Sequence, residues 1–179
     1  ILFNFIRCSM VGSIAVSNFT KHHLQRLKQT ATIWPPAVNQ VECHPYYPQM
    51  DLLEYCDGEN IVVQSYATLG GQDGTKAKWK ALGGKLLELA PIVDVASRLS
   101  ENFNRKVTPA QVLLRWSLQR NCALVLKTCS SNRMNENSDI FDFTLADEDM
   151  KVISIVMPSS ECEGRLCWRT EPLRMLDFN

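Results

Sequence analysis

The sequence has no surplus of either charge: 19 Lys and Arg stand against 19 Asp and Glu, a net charge of zero. That balance argues against nucleic acid as the partner, because phosphate backbones draw on an excess of Lys and Arg. A local basic cluster can still hold a small phosphorylated ligand. No apolar run approaches the ~20 residues that span a bilayer, and Ile1–Ile6 is too short and too uncharged at its start for a secretory signal. No membrane partner is expected. The seven cysteines contain no C-x-x-C pair, and their odd number argues against a disulfide framework. Cys43, Cys56 and Cys122 lie in apolar stretches, where a thiol behaves as a small hydrophobe, so a reduced, cytoplasmic compartment is expected. Cys162 and Cys167 have no neighbouring His or Cys to complete a metal site. Also lacking are G-x-G-x-x-G, a P-loop, G-x-S-x-G and zinc-ligand spacing. The chain opens on Ile1 rather than Met, and the expectation is of a fragment.

What is present is repetition. Four times a short apolar, β-branched run ends in polar residues and gives way to a helical stretch: Val11–Val16, Ala37–Cys43, Asn60–Ser65 and Cys122–Leu126. Strand-then-helix alternation predicts an α/β fold with a parallel sheet covered by helices. In such sheets function collects at the carboxyl ends of the strands. Helices are expected at Thr20–Gln29, Gln49–Cys56, Leu86–Leu99, Asn132–Ser138 and Ala146–Ile155. The last is expected to bury Met150, Val152 and Ile153. Thr108-Pro109-Ala110-Gln111 is a capping box that opens a further helix through Trp116 to Arg120. A long polar loop is expected from Gly70 to about Gly84, and an irregular tail over residues 158–179 of a single 1–179 domain.

The strongest local chemistry lies in Lys127-Thr128-Cys129-Ser130-Ser131-Asn132-Arg133. A strand ends in a cation and a hydroxyl, then helix-capping residues, then an arginine in the first turn. Helix N-termini attract anions, and the two cations add full charges. The other reading, a capped surface helix with solvated charges, stays open. Tyr66 is either a stacking platform or a core aromatic. Ser17, Asn18 and Gln40 either hydrogen-bond an amide-bearing ligand or serve as turn residues. His44, before Pro45, has no evident carboxylate partner and is expected to be structural. Glu42 and Glu54 are expected to be strand- and helix-face charges.

Five segments in register resemble the aldo-keto reductases: Ile14-Ala15-Val16-Ser17-Asn18-Phe19, Asn39-Gln40-Val41-Glu42-Cys43-His44-Pro45-Tyr46, Thr108–Trp116, Lys127–Asn137, and Phe141-Asp142-Phe143 before Glu148-Asp149-Met150. The resemblance runs from about Val11 to Ile155. It implies a (β/α)8 barrel of the TIM-barrel type that reduces aldehydes or ketones with NADP(H), with the four strands here as strands five to eight. It implies that Ser17, Asn18 and Gln40 bind the nicotinamide carboxamide and that Tyr66 stacks under the ring. Leu69 would lie along the pyrophosphate. Lys127, Thr128, Ser130 and Arg133 would hold the adenosine 2′-phosphate, with Glu136 and Asn137 on the adenine.

The match is not perfect. Ala15 stands where the family usually has Gly, Leu126 where it usually has Pro, and Ala67-Thr68 replaces Ser-Pro. The family's catalytic Asp, Tyr, Lys and His fall upstream of these segments, so no catalytic residue is assigned. The resemblance thus implies an oxidoreductase acting on a small carbonyl substrate, with this chain carrying the cofactor-binding half. The alternatives are a non-catalytic NADP(H)-binding or structural barrel protein, or an inactive truncated product. With only half a barrel, open sheet edges are expected to promote self-association.

Overall fold

The computed structural model describes residues 11–71, 76–154, 156 and 165–167, without the side chains of residues 76–78. Strands β1 (Ala15–Ser17), β2 (Val38–Glu42), β3 (Val62–Tyr66) and β4 (Cys122–Leu124) form one sheet in the order β1-β2-β3-β4. Every pairing is parallel. The register aligns Ser17, Gln40, Gln64 and Ala123 in one row across all four strands. Helices α1 (Lys21–Thr30) and α2 (Met50–Gly58) follow β1 and β2. Between β3 and β4 lie α3 (Lys76–Ala81), a 3-10 turn at Leu86–Glu88, α4 (Ala90–Phe103) and α5 (Pro109–Leu118). Helices α6 (Ser131–Ser138) and α7 (Asp147–Ser154) follow β4.

The strands alternate because side chains of a pleated strand point to opposite faces. Val41, Val63 and Cys122 are buried with Leu24 of α1 and Leu52 and Cys56 of α2. A second core gathers Ile92, Val95 and Leu99 of α4, Val112, Leu113 and Trp116 of α5, Ile153 of α7, and Tyr46. The three apolar-stretch cysteines are all buried, as expected. Hydrogen bonding with Cys122, together with burial, pushes the Cys43 thiol well up. Burial pushes that of Cys56 to about 11. Both remain neutral packing groups at physiological pH. Cys8 and Cys162 lie outside the described residues.

The strands and helices differ from expectation at their ends. Of Val11–Val16, only Ala15 and Val16 join the ladder, which runs on to Ser17; the Ile14 carbonyl still accepts from Ala37 N–H, and Val11 is exposed. The third strand starts two residues late. Asn60 adopts a left-handed φ of 57°, and its N–H closes the end of α2 on the Asp57 carbonyl. The fourth ends at Leu124, although Val125 N–H still donates to the Ser65 carbonyl. The Gly70–Gly84 stretch is not all loop, since α3 lies within it. Leu86–Leu99 is two pieces, because Leu89 takes an extended conformation before α4, which carries Pro91 in its first turn. The Thr108–Gln111 capping box is present as expected. On α7, Ile153 is buried and Val152 is exposed.

Candidate functional site

Three polar side chains, Ser17, Asn18 and Tyr66, meet where β1 and β3 end, beside Gln40 of β2. Asn18 follows β1 with a left-handed φ of 61°, and its N–H donates to the Gln40 carbonyl at 2.8 Å. Asn is tolerated in this conformation because its short polar side chain bonds locally. The loop beyond is pinned by fully buried Asn39, whose Nδ2 donates to the Phe19 carbonyl and whose Oδ1 accepts from Phe19 N–H. Ser17 Oγ donates to the Gln40 carbonyl at 3.0 Å, and Asn18 Nδ2 donates to Ser17 Oγ at 3.2 Å. Tyr66, at the end of β3, reaches across β2 and donates its Oη to Asn18 Oδ1 at 2.8 Å. It is half-buried, so neither wholly core nor wholly surface. Gln40 Nε2 donates to Gln64 Oε1 at 2.6 Å in the adjacent strand. Ser17, Asn18 and Tyr66 are therefore linked through their side chains, and Gln40 joins them through its backbone carbonyl while its side chain pairs with Gln64.

The chain turns sharply after Tyr66. Ala67 has a φ of 54°, and buried Ser65 and Thr68 share a hydroxyl hydrogen bond at 2.7 Å. Leu69 is half-buried, with its side chain packed against the helical core.

The second group follows the neighbouring strand, β4, at the same edge of the sheet. Lys127 and Arg133 are exposed. Thr128 Oγ1 accepts from Ser130 N–H at 3.2 Å, and Ser130 Oγ, the N-cap of α6, accepts from Arg133 N–H at 3.4 Å. Each hydroxyl that accepts a backbone bond keeps its own hydrogen to donate. Glu136 is already engaged: Thr108 Oγ1 donates to its Oε1 at 2.6 Å, so this carboxylate braces α5 as well as facing solvent. Asn137 is half-buried on the same turn.

Glu42 is a correction. It is not a surface charge but 3% exposed, and it is the partner that His44 was expected to lack. Its Oε1 accepts from His44 Nε2 at 3.0 Å, from Leu166 N–H at 2.5 Å and from Cys167 N–H at 3.0 Å. Burial works to raise the carboxyl's pKa, but the His44 contact and the two amides hold it below its ordinary value. The signal was available: residues i and i+2 near the end of a strand share a face, so Glu42 and His44 fall side by side. Glu54, by contrast, is exposed on α2 as expected. Glu42 also lines a cleft with Asn18, Tyr47, Tyr66 and Arg165, whose enclosed part, about 20 Å3, has room for about one water. Arg165 stacks its guanidinium 5.0 Å from the Tyr47 ring centre and donates to Tyr47 Oη at 2.6 Å.

Among the described residues no cluster of three or more His, Cys, Asp or Glu is placed to hold a metal ion. None of their helices is long and apolar enough to cross a membrane. A parallel sheet in sequential strand order flanked by helices, with polar groups at the carboxyl ends of its strands, defines an α/β protein. The Aldo/keto reductase family model matches residues 10–157. The chain belongs to the aldo/keto reductase family.

Its relatives include "Aldo-keto reductase family 1 member A1-A" of Danio rerio, 34% identical over 89% of this chain and 49% of that protein. "Estradiol 17 beta-dehydrogenase 5" of Mus musculus is 37% identical over 82% of this chain and 45% of its own length. Among solved structures, MGS-M4, an aldo-keto reductase enzyme from a Medee basin deep-sea metagenome library, superposes with a TM-score of 0.75 at 32% identity. That match covers 95% of this chain and 55% of the other. The chain thus spans about half the length of the relatives it matches.

Proposed function

We propose that this chain carries the NADP(H)-binding part of an aldo-keto reductase, an oxidoreductase that reduces aldehydes or ketones to alcohols. In this reading β1–β4 correspond to the fifth to eighth strands of an eight-stranded barrel, and residues 1–179 are part of one such domain. The observation that carries the reading is the Ser17–Asn18–Gln40–Tyr66 group. It offers amide donors and acceptors beside a half-exposed aromatic ring, the chemistry that suits a flat, carboxamide-bearing ring. Ser17, Asn18 and Gln40 would hold the carboxamide, and Tyr66 would support the ring face. The Leu69 backbone would follow the pyrophosphate.

Lys127, Thr128, Ser130 and Arg133 would take the 2′-phosphate, where Arg favours bidentate contacts and Lys acts as a point charge. Asn137 would meet the adenine, and Glu136 would do so from its hydrogen bond to Thr108. When bound, the coenzyme supplies the hydride. What these residues do is hold and orient it. The substrate in this reading is a small carbonyl compound, and the compartment is the cytoplasm. No proton-donating residue is assigned within this chain.

The test is a titration of the chain with NADPH and with NADH, followed by coenzyme fluorescence. NADPH is expected to bind more tightly. Arg133→Ala should weaken NADPH by about tenfold or more, the worth of one lost charge-assisted contact, and leave NADH nearly unchanged. Equal loss for both coenzymes would contradict the 2′-phosphate assignment. No binding of either would remove the reading altogether.

A further inference from the structure

The contact between Glu42 and residues 166–167 joins positions 124 and 125 residues apart in the chain. A carboxylate that is 3% exposed is costly to bury unless several donors compensate it. Here the compensation falls on Oε1 alone, from His44 and from two consecutive backbone amides of residues 166–167, while Oε2 has no hydrogen-bond partner among the described residues. Such paired amides around one oxygen form an anion-binding concavity, with the anion built into the sheet.

Three other features place the same segment. Leu166 is 5% exposed and belongs to the helical core. Arg165 lies on Tyr47 and lines the cleft beside Asn18 and Tyr66. Gly71, with a φ of +63°, gives room to Cys167, because a Cβ there would stand 2.9 Å from the Cys167 sulfur.

We propose that Glu42 is the positioning residue for segment 165–167, clipping its backbone against the end of β2 so that Arg165 forms one wall of the cleft. This goes beyond the cofactor reading and does not need it. The segment is seated by Glu42 whether or not the cleft takes a coenzyme. His44 holds the carboxylate in place from within the strand end, and its own backbone is fixed by reciprocal hydrogen bonds with Tyr47.

The experiment measures alkylation of Cys167 in the pre-reduced chain by mass spectrometry, with exposed Cys129 as the internal rate standard. Buried Cys43, Cys56 and Cys122 report whether the core stays closed. Glu42→Ala should speed Cys167 alkylation about tenfold relative to Cys129, as expected for loss of hydrogen bonds to a charged acceptor. Glu42→Gln keeps an accepting oxygen in the same place and should restore a rate close to that of the natural chain. An unchanged rate in Glu42→Ala, or equal acceleration in both variants, would overturn the proposal.

If Glu42→Ala exposes the buried cysteines as well, hydrogen exchange of the natural chain decides. Slow exchange of the Leu166 and Cys167 amides supports the clip, and exchange as fast as in an open chain rejects it. No coenzyme enters either measurement, so failure here is distinct from failure of the cofactor reading.

Discussion

Burial acts on two neighbouring residues with opposite net results. Tyr46 donates its Oη to the Gly84 carbonyl at 2.9 Å, and burial pushes its pKa up to about 12. For Glu42 burial pushes the same way, yet the His44 contact and two amide donors outweigh it and the pKa falls. The sign of the stability effect follows from linkage. The folded carboxyl is more acidic than the unfolded one, so its contribution is complete above the ordinary carboxyl value of 4.5. That contribution fades as pH falls through the lower, folded value. The melting-temperature difference between the natural chain and Glu42→Gln should hold steady from pH 7 to about 5 and then narrow. A difference that widens on acidification would show that the carboxyl is not stabilised in the folded state.

Helix α5 shows how one terminus can serve two elements. Thr108 Oγ1 accepts from Gln111 N–H, and Gln111 Oε1 accepts in return from Thr108 N–H at 2.9 Å. The same hydroxyl donates to Glu136 of α6, and Gln111 Nε2 donates to the Asp139 carbonyl at the end of α6. The cap of α5 therefore also holds the helix whose start carries Ser130 and Arg133. Thr108→Val removes the cap acceptor and the Glu136 bond while keeping the side chain's shape. It should lower stability by about 0.5–2 kcal/mol, the range for a lost N-cap, as read from the urea midpoint at constant slope. A loss below about 0.3 kcal/mol would mean that solvent replaces both contacts. Arg105 adds a second tie nearby by bridging Asp139 and Asp142. It is more exposed and its pairs are screened, so it contributes less.

In the molecule as a whole, the described sheet has helices packed against one face, while the opposite face is covered at Glu42 by residues 166–167 and exposed at Val62 and Val125. There Val62 is 48% exposed and Val125 39%. β1 and β4 are the outer strands of the described sheet, and no described strand pairs along their outer sides. Exposed strand edges beside apolar side chains favour association with another chain. Light scattering on the chain by itself should therefore show a mass that rises with concentration, and Val62→Lys should reduce that rise. A sharp monomer peak for the natural chain at all concentrations would refute this expectation.

The strand–helix alternation, the Thr108 cap, the buried cysteines and the Lys127–Arg133 composition were legible in the sequence. Each depends on local periodicity or on residues within one helical turn. The order of the five segments carried the family resemblance as well. Strand ends were less legible, because pairing partners, not propensity, decide where a ladder stops: Val11 has none, and Asn60 turns out of line. Only the tertiary structure decided that Tyr66 meets Asn18, that Glu136 meets Thr108 and that Glu42 is buried against Leu166 and Cys167. Those pairs lie between 28 and 125 residues apart. The physical reason is that periodic patterns say which face of an element is buried, whereas the partner on that face is set by how separate elements pack.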